Sequence, residues 1–215
     1  MKREQLSLYL VTDRGIAAGR SLEDIVTQAV DGGVTMVQLR EKDIDTRDFI
    51  DLAIRLKRLL SGREVPLIIN DRVDVALASD ADGVHIGQSD MPYRMARAIL
   101  GPQKIIGLSV ENFHQIEQAN ALDVDYIGIS PVFATPTKTD TAQPFGLDGL
   151  ERAVRMSVHP TVAIGGMNAA TAAAVMATGT DGIAVVSAIV GARSPHDASA
   201  ELLEIIQKKT GSIRM

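Results

Sequence analysis

Short runs of apolar residues alternate with longer stretches in which apolar positions recur every three or four residues, and this pair of patterns repeats eight times. The short runs predict strands at Leu6 to Thr12, Met36 to Arg40, Leu67 to Asn70, Gly83 to Gly87, Ile105 to Ser109, Tyr126 to Ile129, Thr161 to Gly165 and Gly182 to Ser187. The longer stretches predict helices. In "SLEDIVTQAV" Ser21 stands as N-cap, and "DTRDFIDLAIRLKRLL" carries an apolar stripe through Phe49, Ala53, Leu56 and Leu60. A helix between consecutive strands requires parallel pairing with right-handed crossovers. Eight such units, with no linker or low-complexity gap between them, predict an α/β fold: a single (β/α)8 TIM barrel over residues 1–215, with an open doubly wound sheet as the alternative.

The two architectures differ in where polar residues gather. A barrel places its site on the rim formed by the C-terminal ends of all its strands, whereas an open sheet concentrates it at one switch point. Polar and glycine residues follow seven of the eight predicted strands: Gln38, Arg40 and Lys42 after the second, "IINDR" after the third, "HIGQSD" after the fourth, "GLSVEN" after the fifth, "PVFATPTKTD" after the sixth, "AIGGMN" after the seventh and "VVSAI" after the eighth. That distribution favours the barrel.

Composition narrows the chemistry. At 215 residues, with 46% hydrophobic and 23% charged, the chain can bury a full core without disulfide or metal. It contains no cysteine, which removes thiol nucleophiles, zinc-thiolate sites and iron–sulfur clusters. A net charge of -5 and 3% aromatic residues argue against nucleic acid as a partner. No stretch approaches the ~20 apolar residues of a membrane span, and the N-terminus shows no signal-like apolar core, so a cytoplasmic location is expected. Any anion must then be met by a local cluster of positive groups.

In "VQLREKD" strand alternation sends Gln38 and Arg40 to one side and Leu39 to the other, which puts two polar groups inside the barrel beside Lys42 at its mouth. An interior arginine needs an anion: either a ligand, or a structural carboxylate such as Glu41 or Asp71. Asn70, Asp71 and Asp90 supply hard oxygen ligands on adjacent loops, and Mg²⁺ typically takes one or two protein carboxylates and completes its shell with water and phosphate. The plainer reading is that "ND" is an ordinary turn and helix-cap dipeptide and that Asp90 caps a helix beginning at Met91. Gly165 and Gly166 lead into a helix near Asn168, and the loops after strands seven and eight of a barrel often hold a phosphate. The Thr135–Lys138 segment faces that corner, where hydroxyls and one ammonium suit an anion, although a solvated surface loop has the same composition. Asp13 serves either rim or structure, and His85 is expected to be a hydrogen-bonded interior residue.

The ordered set "YLVTD", "VQLREK", "IINDR", "DGVHIGQSD", "GLSV", "PVFATPTK", "AIGGM" and "VVSAI", from about Tyr9 to Val190, resembles the thiamine-phosphate synthase family, also called thiamine-phosphate pyrophosphorylase. Single pieces are unspecific, but their order and spacing are not. Ser130 stands where glycine is expected, and "TDTAQPFG" matches poorly.

The resemblance implies a Mg²⁺-dependent transferase of thiamine biosynthesis. It would couple hydroxymethylpyrimidine diphosphate to a thiazole phosphate and release diphosphate. Carried over residue by residue, Gln38, Leu39, Arg40, Glu41, Lys42, Asn70, Ser109 and Lys138 would meet the pyrimidine diphosphate, with Arg40, Lys42, Ser109 and Lys138 as the catalytic groups. Asp71 and Asp90 would hold one Mg²⁺, while Thr135, Pro136, Thr137, Gly166, Val186 and Ser187 would meet the thiazole phosphate. Exposed apolar helix faces would permit a homo-oligomer. A thiazole tautomerase of the same superfamily would need an acid–base group and no metal pair, and a non-catalytic ligand-binding barrel would have lost its charged rim. Both fit less well.

Overall fold

Each of the eight apolar runs forms a strand, and the strands close on one another. The computed structural model describes residues 1–134 and 143–213, with side chains described through residue 208. A 3₁₀ turn (Arg3–Leu6) precedes β1 (Leu8–Val11), followed by β2 (Met36–Leu39), β3 (Leu67–Asn70), β4 (Gly83–Ile86), β5 (Ile105–Val110), β6 (Tyr126–Ile129), β7 (Thr161–Ile164) and β8 (Gly182–Val185). Neighbours pair in parallel in sequence order, and Leu10 of β1 aligns with Val185 of β8 to seal the barrel. The open-sheet alternative is thereby excluded.

Between and after the strands lie α1 (Arg14–Ala17), α2 (Leu22–Asp31), α3 (Thr46–Ser61), α4 (Val73–Ala78), α5 (Tyr93–Leu100), α6 (Phe113–Ala119), α7 (Gly146–Met156), α8 (Ala169–Met176), α9 (Ser187–Val190) and α10 (Pro195–Ile213). Ser21 caps α2 by accepting from the Asp24 N–H, and Phe49, Ala53, Leu56 and Leu60 of α3 are buried, as the stripe predicts. No helix among the described residues is long and apolar enough to cross a membrane.

Five strands, β1, β2, β4, β7 and β8, end one or two residues earlier at the rim than the apolar pattern predicts, and β1 also begins later; two of these differences have a clear local cause. Leu6 belongs to the 3₁₀ turn under the barrel, and β8 stops at Val185 because Val186, at φ -112° and ψ -85°, leaves the extended region so that Ser187 can open α9. β5 runs one residue longer, to Val110.

Alternation along the strands separates two apolar layers. Leu8, Leu10, Val37 and Leu39 face outward and pack with the helices, whereas Tyr9, Val11, Met36, Ile68, Tyr126, Val162 and Ala184 fill the interior with Leu6. The two interior tyrosines meet edge to face, with their hydroxyl oxygens 2.8 Å apart. Burial raises both phenols far above the ordinary 10.0, although the hydrogen bonds that Tyr9 shares with Tyr126 and Gln38 partly offset this at Tyr9.

This shift limits the protein on the alkaline side. An unfolded chain releases tyrosine protons near pH 10, whereas the folded chain keeps them, so their contribution to stability is intact below that pH and falls away above it. Phenolate absorbance from Tyr9 and Tyr126 is expected only together with loss of circular dichroism. Full tyrosine titration near pH 10 in a still-folded protein would show that these phenols reach solvent.

Candidate active site

The C-terminal rim surrounds a cavity of about 820 Å³. Ten of the residues expected at the site line it: Gln38, Arg40, Lys42, Asn70, Asp71, Asp90, Ser109, Gly166, Val186 and Ser187. Leu39 and Glu41 do not. Period-two alternation turns Leu39 into the helix-facing layer, and Glu41 is held outside by paired hydrogen bonds from Arg14 Nε and Nη2, each 2.9 Å long. The expected Thr135, Pro136, Thr137 and Lys138 lie outside the described residues.

Among the described residues of the site, Arg40 and Lys42 each have a carboxylate partner. Arg40 Nη1 lies 3.2 Å from Asp13 Oδ2, while the other Asp13 oxygen caps α1 by accepting from the Ile16 N–H at 3.0 Å. Asp13 is therefore both rim and structure. The partner of Arg40 is neither Glu41 nor Asp71: Glu41 belongs to Arg14, and Asp71 pairs with Lys42. Both cations remain accessible, with 29% of the Arg40 and 49% of the Lys42 side chain exposed. Such solvated pairs are worth at most about 1 kcal/mol, so an incoming anion can displace the carboxylates.

Asp71 reaches Lys42 from a left-handed backbone at φ 61°, a conformation that Asp tolerates better than most residues. Its N–H donates to the His85 carbonyl at 2.9 Å, which ties the end of β3 to β4. Asp90 accepts from the Gly87 N–H at 2.7 Å and does not cap a helix. Met91 precedes Pro92, which disfavours a helical conformation there, so α5 begins only at Tyr93. Nor does "ND" cap α4, whose N-cap is Arg72, without a side-chain bond.

Burial raises the Asp90 carboxyl above its ordinary range, and the nearby Asp71 charge adds to that rise; the Gly87 N–H and Lys42 oppose it. Two neighbouring carboxylates, one of them resisting ionisation, would gain from a cation. Among the described residues no group of three or more His, Asp or Glu gathers at metal-holding distance. A hard cation at Asp71 and Asp90 would take its remaining ligands from water and ligand oxygens, as Mg²⁺ commonly does.

In the closed strand order β7 and β8 stand across the barrel from β3 and β4. Gly165 and Gly166 turn there with φ of 101° and 75°, and a Cβ on Gly166 would come within 2.9 Å of Phe133 Cβ. Only glycine satisfies both the angle and the space. Asn168 then caps α8, accepting from the N–H groups of Ala170 and Thr171.

Other lining residues lie outside the expected set. Glu111 and Gln88 lie within the polar junctions but carry no distinguishing pattern, while Tyr9 and Tyr126 read as ordinary core. Their signal is the inward phase of their strands, which they share with Gln38, together with glycine at the inward positions of β5 and β6.

Residues 8–189 match the family model described as thiamine monophosphate synthase. The chain is 52% identical over 206 residues to a thiamine-phosphate synthase of Albidiferax ferrireducens, covering 96% of this chain and 94% of that one. It is 54% identical over 202 residues to a thiamine-phosphate synthase of Vibrio campbellii, covering 93% and 98%. The solved thiamine phosphate pyrophosphorylase of Pyrococcus furiosus superposes with a TM-score of 0.89 at 39% identity, over 96% of this chain and 98% of that one. With the same barrel, and with most of the expected rim residues on one cavity, the chain belongs to the thiamine-phosphate synthase family.

Proposed function

We propose that this barrel joins hydroxymethylpyrimidine diphosphate to a thiazole phosphate, giving thiamine phosphate and diphosphate. Membership in the family makes the chain a transferase of thiamine biosynthesis. The observation that carries the substrate assignment is the division of one cavity. Arg40, Lys42, Asp71, Asp90 and Ser109 occupy the β2–β5 side, and the Gly165–Gly166 turn with Ser187 occupies the β7–β8 side. Two anionic ligands can thus lie face to face.

The reaction breaks the bond between the pyrimidinylmethyl carbon and the diphosphate oxygen, and the electron pair leaves with diphosphate. The electron-rich aminopyrimidine spreads the positive charge left on carbon, and the thiazole ring nitrogen then supplies the pair for the new C–N bond. No nucleophile or general base from the protein is needed, so catalysis reduces to positioning and to neutralising charge on the leaving oxygen. Arg40 and Lys42 exchange Asp13 and Asp71 for diphosphate oxygens, and Ser109 hydrogen-bonds the same group. Asp71 and Asp90 would hold Mg²⁺, which when bound supplies further positive charge at the diphosphate. Gly166, Val186 and Ser187 seat the thiazole phosphate.

The test mixes purified protein, both substrates and Mg²⁺, and assays for thiamine phosphate with and without a chelator. Product that forms only in the absence of chelator is expected. No product under either condition overturns the substrate assignment, and undiminished product with chelator overturns the metal assignment alone.

A further inference from the structure

Below the charged rim, five side chains from five different strands form one hydrogen-bonded chain, of which the reaction as written uses only the Ser109 end. Gln38 Nε2 donates to Tyr9 Oη at 2.8 Å, and Tyr9 Oη lies 2.8 Å from Tyr126 Oη. Tyr126 Oη is 3.0 Å from His85 Nδ1, and His85 Nε2 is 2.8 Å from Ser109 Oγ. The far end, Ser109, lines the cavity.

The barrel makes room for this chain. A Cβ on Gly107 would fall 2.1 Å from Tyr126 Cζ and 2.6 Å from His85 Nδ1, and one on Gly128 would fall 3.2 Å from His85 Cε1. Two glycines at inward positions of adjacent strands thus leave the space that the imidazole and phenol rings occupy.

The protons along the chain can be followed one by one. Gln38 spends an N–H on the Tyr9 oxygen, so the single Tyr9 proton is directed to Tyr126. Tyr126 then donates to His85 Nδ1. A neutral imidazole that accepts at Nδ1 carries its proton on Nε2 and donates to Ser109 Oγ. The hydrogen of Ser109 itself is left for the cavity. Were the Gln38 amide reversed, every bond would run the other way, and Ser109 would face an anion with lone pairs alone.

We propose that this one-way chain holds His85 in its Nε2–H form and so makes Ser109 a hydrogen-bond donor to an anionic ligand oxygen. His85, Tyr126 and Tyr9 are then positioning residues. The ligand half of the proposal rests on the reading that Ser109 meets the diphosphate. A donor hydroxyl strengthens as charge builds on the leaving oxygen, whereas an accepting one repels it.

The decisive measurement is the ¹⁵N resonances of the His85 ring in the intact, ligand-free protein, identified by their absence in His85→Gln. A proton on Nε2 with Nδ1 bare is expected, and a proton on Nδ1 overturns the proposal. Kinetics supply the second arm. Tyr126→Phe removes the donor to Nδ1 and is expected to lower kcat by about 10- to 100-fold, as loss of an orienting partner commonly does, with KM for thiazole phosphate unchanged. His85→Gln, which keeps an N–H within reach of Ser109, is expected to retain more activity than His85→Leu. Wild-type kcat in Tyr126→Phe, or equal loss in the two His85 variants, also overturns it. The resonance measurement requires no substrate, so a protein with the Nε2–H form that yields no thiamine phosphate would refute the proposed reaction and leave the chain standing.

Discussion

Replacing Asp90 by Asn is expected to lower thiamine phosphate formation by on the order of 10²–10³-fold, the scale seen when one electrostatic contact to a transition state is lost. The substitution keeps the shape of the side chain, and its amide oxygen can still accept the Gly87 N–H that Asp90 accepts at 2.7 Å. What disappears is the charge, which burial and Asp71 already disfavour. In the metal-free protein that charge is a burden, so thermal unfolding of Asp90→Asn without metal is expected at the same temperature as wild type or higher. Function and stability then move in opposite directions at one residue, as they do where a strained arrangement serves a ligand. Asp71→Asn should lose turnover similarly and also free Lys42 from its partner. Excess Mg²⁺ should restore part of the activity of either variant. Wild-type turnover in both at low Mg²⁺ would remove these carboxylates from the metal assignment.

The largest effect on folding is expected from Gly182→Ala. A Cβ on the first residue of β8 would lie 1.8 Å from the Leu6 carbonyl oxygen and 2.5 Å from its carbon. The obstacle is backbone and cannot rotate away. Leu6 is fully buried beneath the barrel, and the Ile183 N–H donates to the Ser7 carbonyl at 3.2 Å, so relief must separate β8 from the segment entering β1. A cost of about 4 kcal/mol is expected, at the upper end for single substitutions. That corresponds to a fall of roughly 8–16 °C in Tm for a chain of this size. Gly62→Ala is the control, since nothing lies within 4 Å of its Cβ position and its φ is -83°. Equal Tm values for the two variants would mean that the barrel floor can shift at no cost.

The fold was legible because two periodicities alternate without interruption. Leu67–Asn70 and Tyr126–Ile129 form strands over the residues predicted, and the phase of β2 places Gln38 and Arg40 inward and Leu39 outward from sequence alone. Most of the candidate site was legible for a related reason: a barrel assigns every strand end to one rim, so residues as far apart in sequence as Gln38 and Ser187 are brought to one cavity. Pairings were less accessible. Arg40 finds Asp13, a partner 27 positions away, because Glu41 in the same extended segment points to the opposite side and Asp71 is taken by Lys42. Arg14, which holds Glu41, had no local signature. The interior chain through Tyr9, Tyr126 and His85 was equally hidden, since His85 and Tyr126 are brought together by two strand registers that both meet at Gly107, and Tyr9 reaches Tyr126 only across the barrel interior.

Closure of β1 against β8 also constrains how the molecule is made. The first strand leaves the ribosome long before its second neighbour exists, and α10 must arrive before α2 and α8 are both covered. At ~5–20 residues per second, Leu8–Val11 waits roughly ten to thirty seconds for Gly182–Val185. Throughout that interval one side of the nascent sheet offers unpaired amides to any passing strand, so the window for misassembly is set by translation speed as much as by sequence.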